Sequence, residues 1–106
     1  MTKTNPGNFF EDFELGQVIE HATPRTVTDG DRGVYGAIYP TRFALPSSGE
    51  FASQSGLDRP PVEELIGFHI AFGKTVPDVS LNAVANLGYA ECRFHRPVLT
   101  GDTLRT

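Results

Sequence analysis

Val62-Glu63-Glu64-Leu65-Ile66-Gly67-Phe68-His69-Ile70-Ala71-Phe72-Gly73-Lys74-Thr75-Val76 is the stretch on which the fold turns. Two prolines precede it, as suits the first turn of a helix, and Glu63 and Glu64 stand where the helix dipole favours acids. Leu65, Phe68 and Phe72 fall on one face and Ile66, Ile70 and Gly73 on the next, with Ala71 between them. A helix apolar most of the way round is a buried one. The spacing therefore predicts a helix over 62–76 with other material wrapped around it.

The wrapping material is read as β-structure. From Tyr89 to Phe94 the residues alternate, with Ala90, Cys92 and Phe94 on one face and Glu91, Arg93 and His95 on the other. Ala90 and Cys92 are small enough to let a helix lie close. This β-patterned run, Tyr89 to Val98, leads to a polar turn at Thr100-Gly101-Asp102 and a return through Thr103-Leu104-Arg105-Thr106. A returning strand needs about 5 residues to pair properly. The strand is thus expected to be cut short, with the chain as the front part of a longer polypeptide and an open sheet edge.

Earlier in the chain, residues 1–8 read as a loose lead-in, and Phe9, Phe10, Phe13 and Leu15 as apolar anchors fastening it to the body. Gln17 to Arg25 reads as a short strand ended by Pro24. Thr28-Asp29-Gly30-Asp31 places a hydroxyl cap and acids before Val34, Tyr35 and Ile38 at helical spacing, and Tyr39-Pro40 ends that helix. Arg42 to Pro61 is an irregular, ordered overhang with a short helical segment over Gly49 to Ser55 that buries Phe51. No internal repeat or domain boundary interrupts residues 1–106. They form one unfinished α+β unit, an antiparallel sheet around a central apolar helix.

Composition bounds the function. Hydrophobic residues make up 39% and charged residues 21% of the chain, without an apolar run near the ~18 residues of a membrane span. MTKTNPGNFFEDF lacks the basic end and apolar stretch of a secretory signal, so a cytoplasmic location is expected. The lone Cys92 is expected to be a structural core thiol in a reducing compartment. The net charge is −4 and the basic residues form no stripe, against a nucleic-acid partner.

RFHRPVLTGDTLRT resembles the strand-turn-strand of hot-dog enoyl-CoA hydratases of the MaoC type, with its phenylalanine strand, Pro-Val step and Gly-Asp-Thr-Leu. FFEDFELGQVIEHATPRTVTDGD, YPTRFALPSS and FGKTVPDVSLNAVANLGYAECRF extend the resemblance across nearly the whole chain. It implies a hot-dog fold, the first half of a double hot-dog, and homo-oligomers through hot-dog pairing. It also implies reversible hydration of a branched, dicarboxylic enoyl-CoA, with coenzyme A as part of the substrate and no separate cofactor.

Such chemistry wants a carboxylate and a histidine near the alkene, and a donor that polarises the thioester carbonyl. MaoC-type hydratases carry the acid–base pair in Tyr-x-Asp-x-Asn-Pro-x-His. The matching stretch is Tyr39-Pro40-Thr41-Arg42-Phe43-Ala44-Leu45-Pro46, so Thr41 replaces the aspartate and Pro46 the histidine. No catalytic residue is assigned in this chain. The alternatives are a non-catalytic half that shapes the acyl-CoA pocket and scaffolds the catalytic half, or an acyl-CoA thioesterase on the same fold.

The remaining candidates are binding residues. Arg42 and Lys74 are cations available to a carboxylate or to coenzyme phosphates, against the plainer reading of loop and helix-end charges. Gly73 serves close helix–sheet packing or makes room for an acyl thioester. His21 and His95 read as solvated surface histidines, and His69 as a satisfied core or interface residue. No zinc-type ligand spacing occurs, and Gly73-Lys74-Thr75 lacks the rest of a phosphate loop.

Overall fold

In the computed structural model, residues 6–106 are described. Most of the lead-in read over residues 1–8, namely residues 1–5, lies outside them. The element order is β1 (Arg25–Thr26), α1 (Asp29–Ile38), α2 (Ala44–Ser47), α3 (Gly49–Gln54), α4 (Glu64–Thr75) and β2 (Thr103–Leu104), with a 3-10 turn at Phe10–Asp12 and a π-helical turn at Val76–Ser80.

The helix α1 forms where its cap residues place it. The Thr28 hydroxyl accepts from the Asp31 N–H at 3.1 Å, and an Asp31 carboxylate oxygen accepts from the Thr28 N–H at 2.9 Å. That reciprocal capping box satisfies two of the donors a helix start leaves unpaired. Arg25 adds an ion pair to Asp31 at 2.6 Å and so ties β1 to the start of α1.

The main helix also forms, over Glu64–Thr75. Val62, expected in its first turn, lies before the helix and donates its N–H to the Val98 carbonyl at 2.8 Å. Beyond Thr75 the helix widens into the π turn. Pro77 has no N–H to give to the Gly73 carbonyl, which breaks the i→i−4 ladder. The widened turn carries Asp78 round the end of α4.

The core is small: Val27, Val62 and Ile66 are buried, with Tyr35, Ile70, Val98 and Leu104 packed against them. Val27 is its centre, and both its backbone groups are engaged by the turn after residue 99. Its N–H donates to Asp102 O at 2.8 Å and its carbonyl accepts from Gly101 N at 2.7 Å. In that turn Gly101 has φ +94°, and a side chain there would strike the Arg59 guanidinium, which donates to the Thr100 carbonyl. Glycine is needed on both counts.

β1 and β2 pair antiparallel, Arg25 with Leu104 and Thr26 with Thr103, and the two threonine hydroxyls meet at 2.8 Å. This is the α+β arrangement expected, as a partial hot-dog: a small antiparallel sheet against one long helix.

Several expectations are corrected. The strand over 17–25 contracts to Arg25–Thr26, since Pro24 cannot donate to a ladder and Thr23 turns to φ +54°. The run 89–98 forms no strand; alternation makes a strand only where a neighbour supplies hydrogen bonds, and the described residues supply one isolated bridge, Pro61 to Leu99. In consequence Cys92 is exposed rather than a core thiol.

Burial departs from the reading too. Phe9, Phe10 and Leu15 are exposed, so the early segment is not anchored by them. Polar contacts hold it instead: Asn8 Nδ2 donates to Asp78 O at 2.8 Å, and Asn82 Nδ2 to Pro6 O at 3.1 Å. The helix over 49–54 forms, but Ala52 is its buried residue and Phe51 is exposed. Along α4 only Ile66 is buried, and Leu65 is exposed. The close packing read at Gly73 is absent, since an added Cβ there would meet nothing within 4 Å; at Gly67 it would meet Val98 Cγ2 at 3.6 Å, an ordinary van der Waals contact.

Candidate functional site

The stretch that aligns with the hydratase motif opens the overhang. Thr41 is occupied locally, its hydroxyl accepting the Phe43 N–H at 3.1 Å. Pro46 lies in α2, and its carbonyl accepts two bonds from the Arg32 guanidinium, at 2.6 and 3.1 Å. This fork pins the overhang to α1. Neither position offers a carboxylate or an imidazole.

Pro46 nevertheless lines a cleft of about 820 Å³ between the overhang, the start of α4 and residues 94–97. Phe43, Leu45, Phe51, Leu57 and Phe94 give it apolar walls, with Glu63, Glu64, His95 and Arg96 as its charged or titratable residues. A cleft of this size and lining suits an apolar or neutral ligand arm. Glu63 at the N-cap of α4 and Glu64 in its first turn, against the single cation Arg96, make it a poor place for an anion.

A second cleft, of about 660 Å³, lies between residues 22–25 and the latter half of α4. His69, Ile70, Gly73 and Lys74 line one wall and Ala22, Thr23 and Arg25 the other, with Pro77 and Asp78 at the end. His69 and Gly73 are four residues apart, as are Ile70 and Lys74, so helical spacing alone puts all four on one face. That signal was present in the sequence.

His21 is a correction. Its side chain is 8% exposed, and Nδ1 lies 2.6 Å from Asp78 Oδ2. Nothing local signals the pair, because the partners are 57 positions apart. His95 is exposed as read. His69 is exposed rather than core, its ring 5.7 Å from Phe68 and 6.4 Å from Tyr35. Burial, helped by the Glu63 carboxylate, raises the Tyr35 phenol above its ordinary value.

Of the three binding candidates, Gly73 and Lys74 come together in the second cleft. Arg42 does not join them. Its guanidinium lies 5.6 Å over the Phe43 ring at the mouth of the overhang, and it lines neither cleft.

No family model matches the chain. Among curated proteins it is 64% identical over 104 residues to β-methylmalyl-CoA dehydratase of Chloroflexus aurantiacus, and 64% identical over 103 residues to mesaconyl-CoA hydratase of Cereibacter sphaeroides. The matches take in 98% and 97% of this chain, which spans 30% of the length of each relative. Among solved structures, a MaoC domain protein dehydratase from Chloroflexus aurantiacus superposes with a TM-score of 0.90 at 63% identity, over 99% of this chain and 30% of that one. The monoamine oxidase regulatory protein from Archaeoglobus fulgius gives a TM-score of 0.75 at 29% identity, over 93% of this chain and 67% of that one. Over the 30% of those relatives that it spans, the chain is similar in sequence to a β-methylmalyl-CoA dehydratase and a mesaconyl-CoA hydratase and shares the partial hot-dog fold of a MaoC domain protein dehydratase.

Proposed function

We propose that this chain is the N-terminal part of an enoyl-CoA hydratase that adds water reversibly to mesaconyl-CoA to give β-methylmalyl-CoA. The observation that carries the reading is 64% identity, over 98% and 97% of the chain, to two proteins named for that pair of compounds. Residues 1–106 then form a partial N-terminal hot-dog domain. The acyl-CoA thioester is the partner, and a cytoplasmic location and pairing of hot-dog units into a homo-oligomer belong to the same reading. Among the described residues no helix is long and apolar enough to cross a membrane.

Hydration of a conjugated thioester needs a base to take a proton from water as its oxygen attacks the β-carbon. A donor must hold the charge that builds on the thioester oxygen, and an acid must return a proton to the α-carbon. Thr41 and Pro46 have no group of suitable acidity, so the stretch aligned with the hydratase motif does not supply the acid–base pair, and this reading assigns the pair to the part of the enzyme beyond these residues. This part shapes the binding space: the overhang cleft takes the neutral thioester arm against Phe43, Phe51 and Phe94. Gly73 and Lys74, which line the second cleft, are its ligand contacts in this reading, and Arg42, which lines neither cleft, is a candidate at the mouth of the overhang only.

The test is hydration by the full-length enzyme, followed by the loss of enoyl-thioester absorbance with mesaconyl-CoA. Turnover is expected. Failure on mesaconyl-CoA and on related enoyl-CoA esters would refute the reading, and release of free coenzyme A thiol would mark a thioesterase instead.

A further inference from the structure

We propose that the cleft between residues 22–25 and the latter half of α4 is an oxyanion site, built to hold a phosphate or carboxylate group on Lys74, Arg25 and His69. The charges facing it decide the sign. Lys74 and Arg25, whose charge is met by Asp31 at 2.6 Å, line it with one carboxylate, Asp78. That carboxylate is already held, with Oδ2 on His21 Nδ1 at 2.6 Å. Arg25 uses Nη2 on Asp31 at 2.6 Å, which fixes the guanidinium and leaves its other donors. Lys74 has no ion-pair partner among the described residues.

The shape agrees with the charge. A Cβ added at Gly73 would meet nothing within 4 Å, so bare helix backbone borders open space in the cleft that Lys74 also lines. His69, one turn before Gly73, presents an exposed ring that reaches the same cleft. Thr23, on the facing wall, is in a left-handed conformation, φ +54°. A β-branched residue rarely accepts that conformation, and such strain gathers at ligand sites.

The overhang cleft, with Glu63 and Glu64, is unsuited to an anion, so the two clefts divide neutral from charged ligand parts. The identity of the natural anion rests on the hydratase reading, where it is either a coenzyme phosphate or the free carboxylate of the acyl group. The chemistry of the site does not.

The experiment titrates the full chain with inorganic phosphate and, separately, with mesaconate, following the backbone amide of Gly73 by NMR. Saturable shifts at Gly73 are expected. K74M should weaken binding about tenfold, while K74R, which keeps the charge, should stay within about threefold of the wild type. Preference for phosphate would identify the coenzyme as the source, and preference for mesaconate the acyl carboxylate. No saturation by either anion, or K74M binding as well as wild type, would overturn the proposal. A failed hydration assay beside intact anion binding would sink the enzyme assignment alone.

Discussion

Val27→Ala is the sharpest test of the packing, because Val27 is 0% exposed at the centre of a core that holds few other buried residues. Two methyl groups are lost, each worth about 0.8 kcal/mol of transfer free energy. The space they leave adds about 24 cal/mol for every Å³ that the surroundings fail to reclaim. Little is reclaimed here, since the Val27 N–H and carbonyl are both locked to the 99–102 turn at 2.8 and 2.7 Å. The expected loss is therefore about 2 to 3 kcal/mol. At a urea slope of about 1 kcal/mol per molar for a domain of this size, the far-UV circular dichroism midpoint falls by about 2 to 3 M. Val84, 102% exposed, is the control, and V84A should change stability by less than about 0.5 kcal/mol. If V27A costs no more than V84A, Val27 is not the keystone of the core and the packing described above is wrong.

Two further outcomes follow from the polar structure and from exposure. The Thr28 N–H, with the Arg25 guanidinium and the Thr28 side chain as further causes, holds the Asp31 carboxyl below its ordinary value of 3.8. The stability it contributes is thus present above the unfolded value and lost as pH falls through the lower folded one. Asp31→Asn should flatten the acid limb of an unfolding curve measured between neutrality and pH 2, and cost about 1 kcal/mol at neutral pH through the weakened capping box. Cys92 is exposed, so a thiol reagent should label native protein at a rate close to that of denatured protein at the same pH; labelling only after denaturation would contradict its placement.

What was legible in the sequence was whatever is settled within a few residues. The Thr28–Asp31 spacing specifies a reciprocal cap, and α1 begins there. The i, i+4 apolar pattern specifies α4, and Thr100-Gly101-Asp102 specifies a turn. The rest depends on distant partners. The alternation of Tyr89 to Phe94 states which faces a strand would show, yet no sheet neighbour for it lies among the described residues, and Ala90 and Cys92 remain exposed. His21 read as a surface histidine because its carboxylate belongs to a π turn that a proline creates 57 positions later. Of the site, Gly73 and Lys74 were visible along the helix. Arg25, Thr23 and the apolar walls of the overhang cleft were not, since each comes from another segment.

The polar clamp around the end of α4 has a consequence for the order of assembly. Asp78 and Asn82 grip residues 6, 8 and 21, and Thr26 meets Thr103, across separations of 57 to 77 positions. Such loops carry a large closure entropy that is met only when both ends are present. Synthesis delivers about 5 to 20 residues each second, so the opening segment emerges from the ribosome several seconds before its holders exist. During that interval Phe9, Phe10 and Leu15 are carried on an untethered chain. Residues 6, 8 and 21 are fastened once Asp78 and Asn82 are present, and β1 closes later still, when Thr103 arrives to meet Thr26.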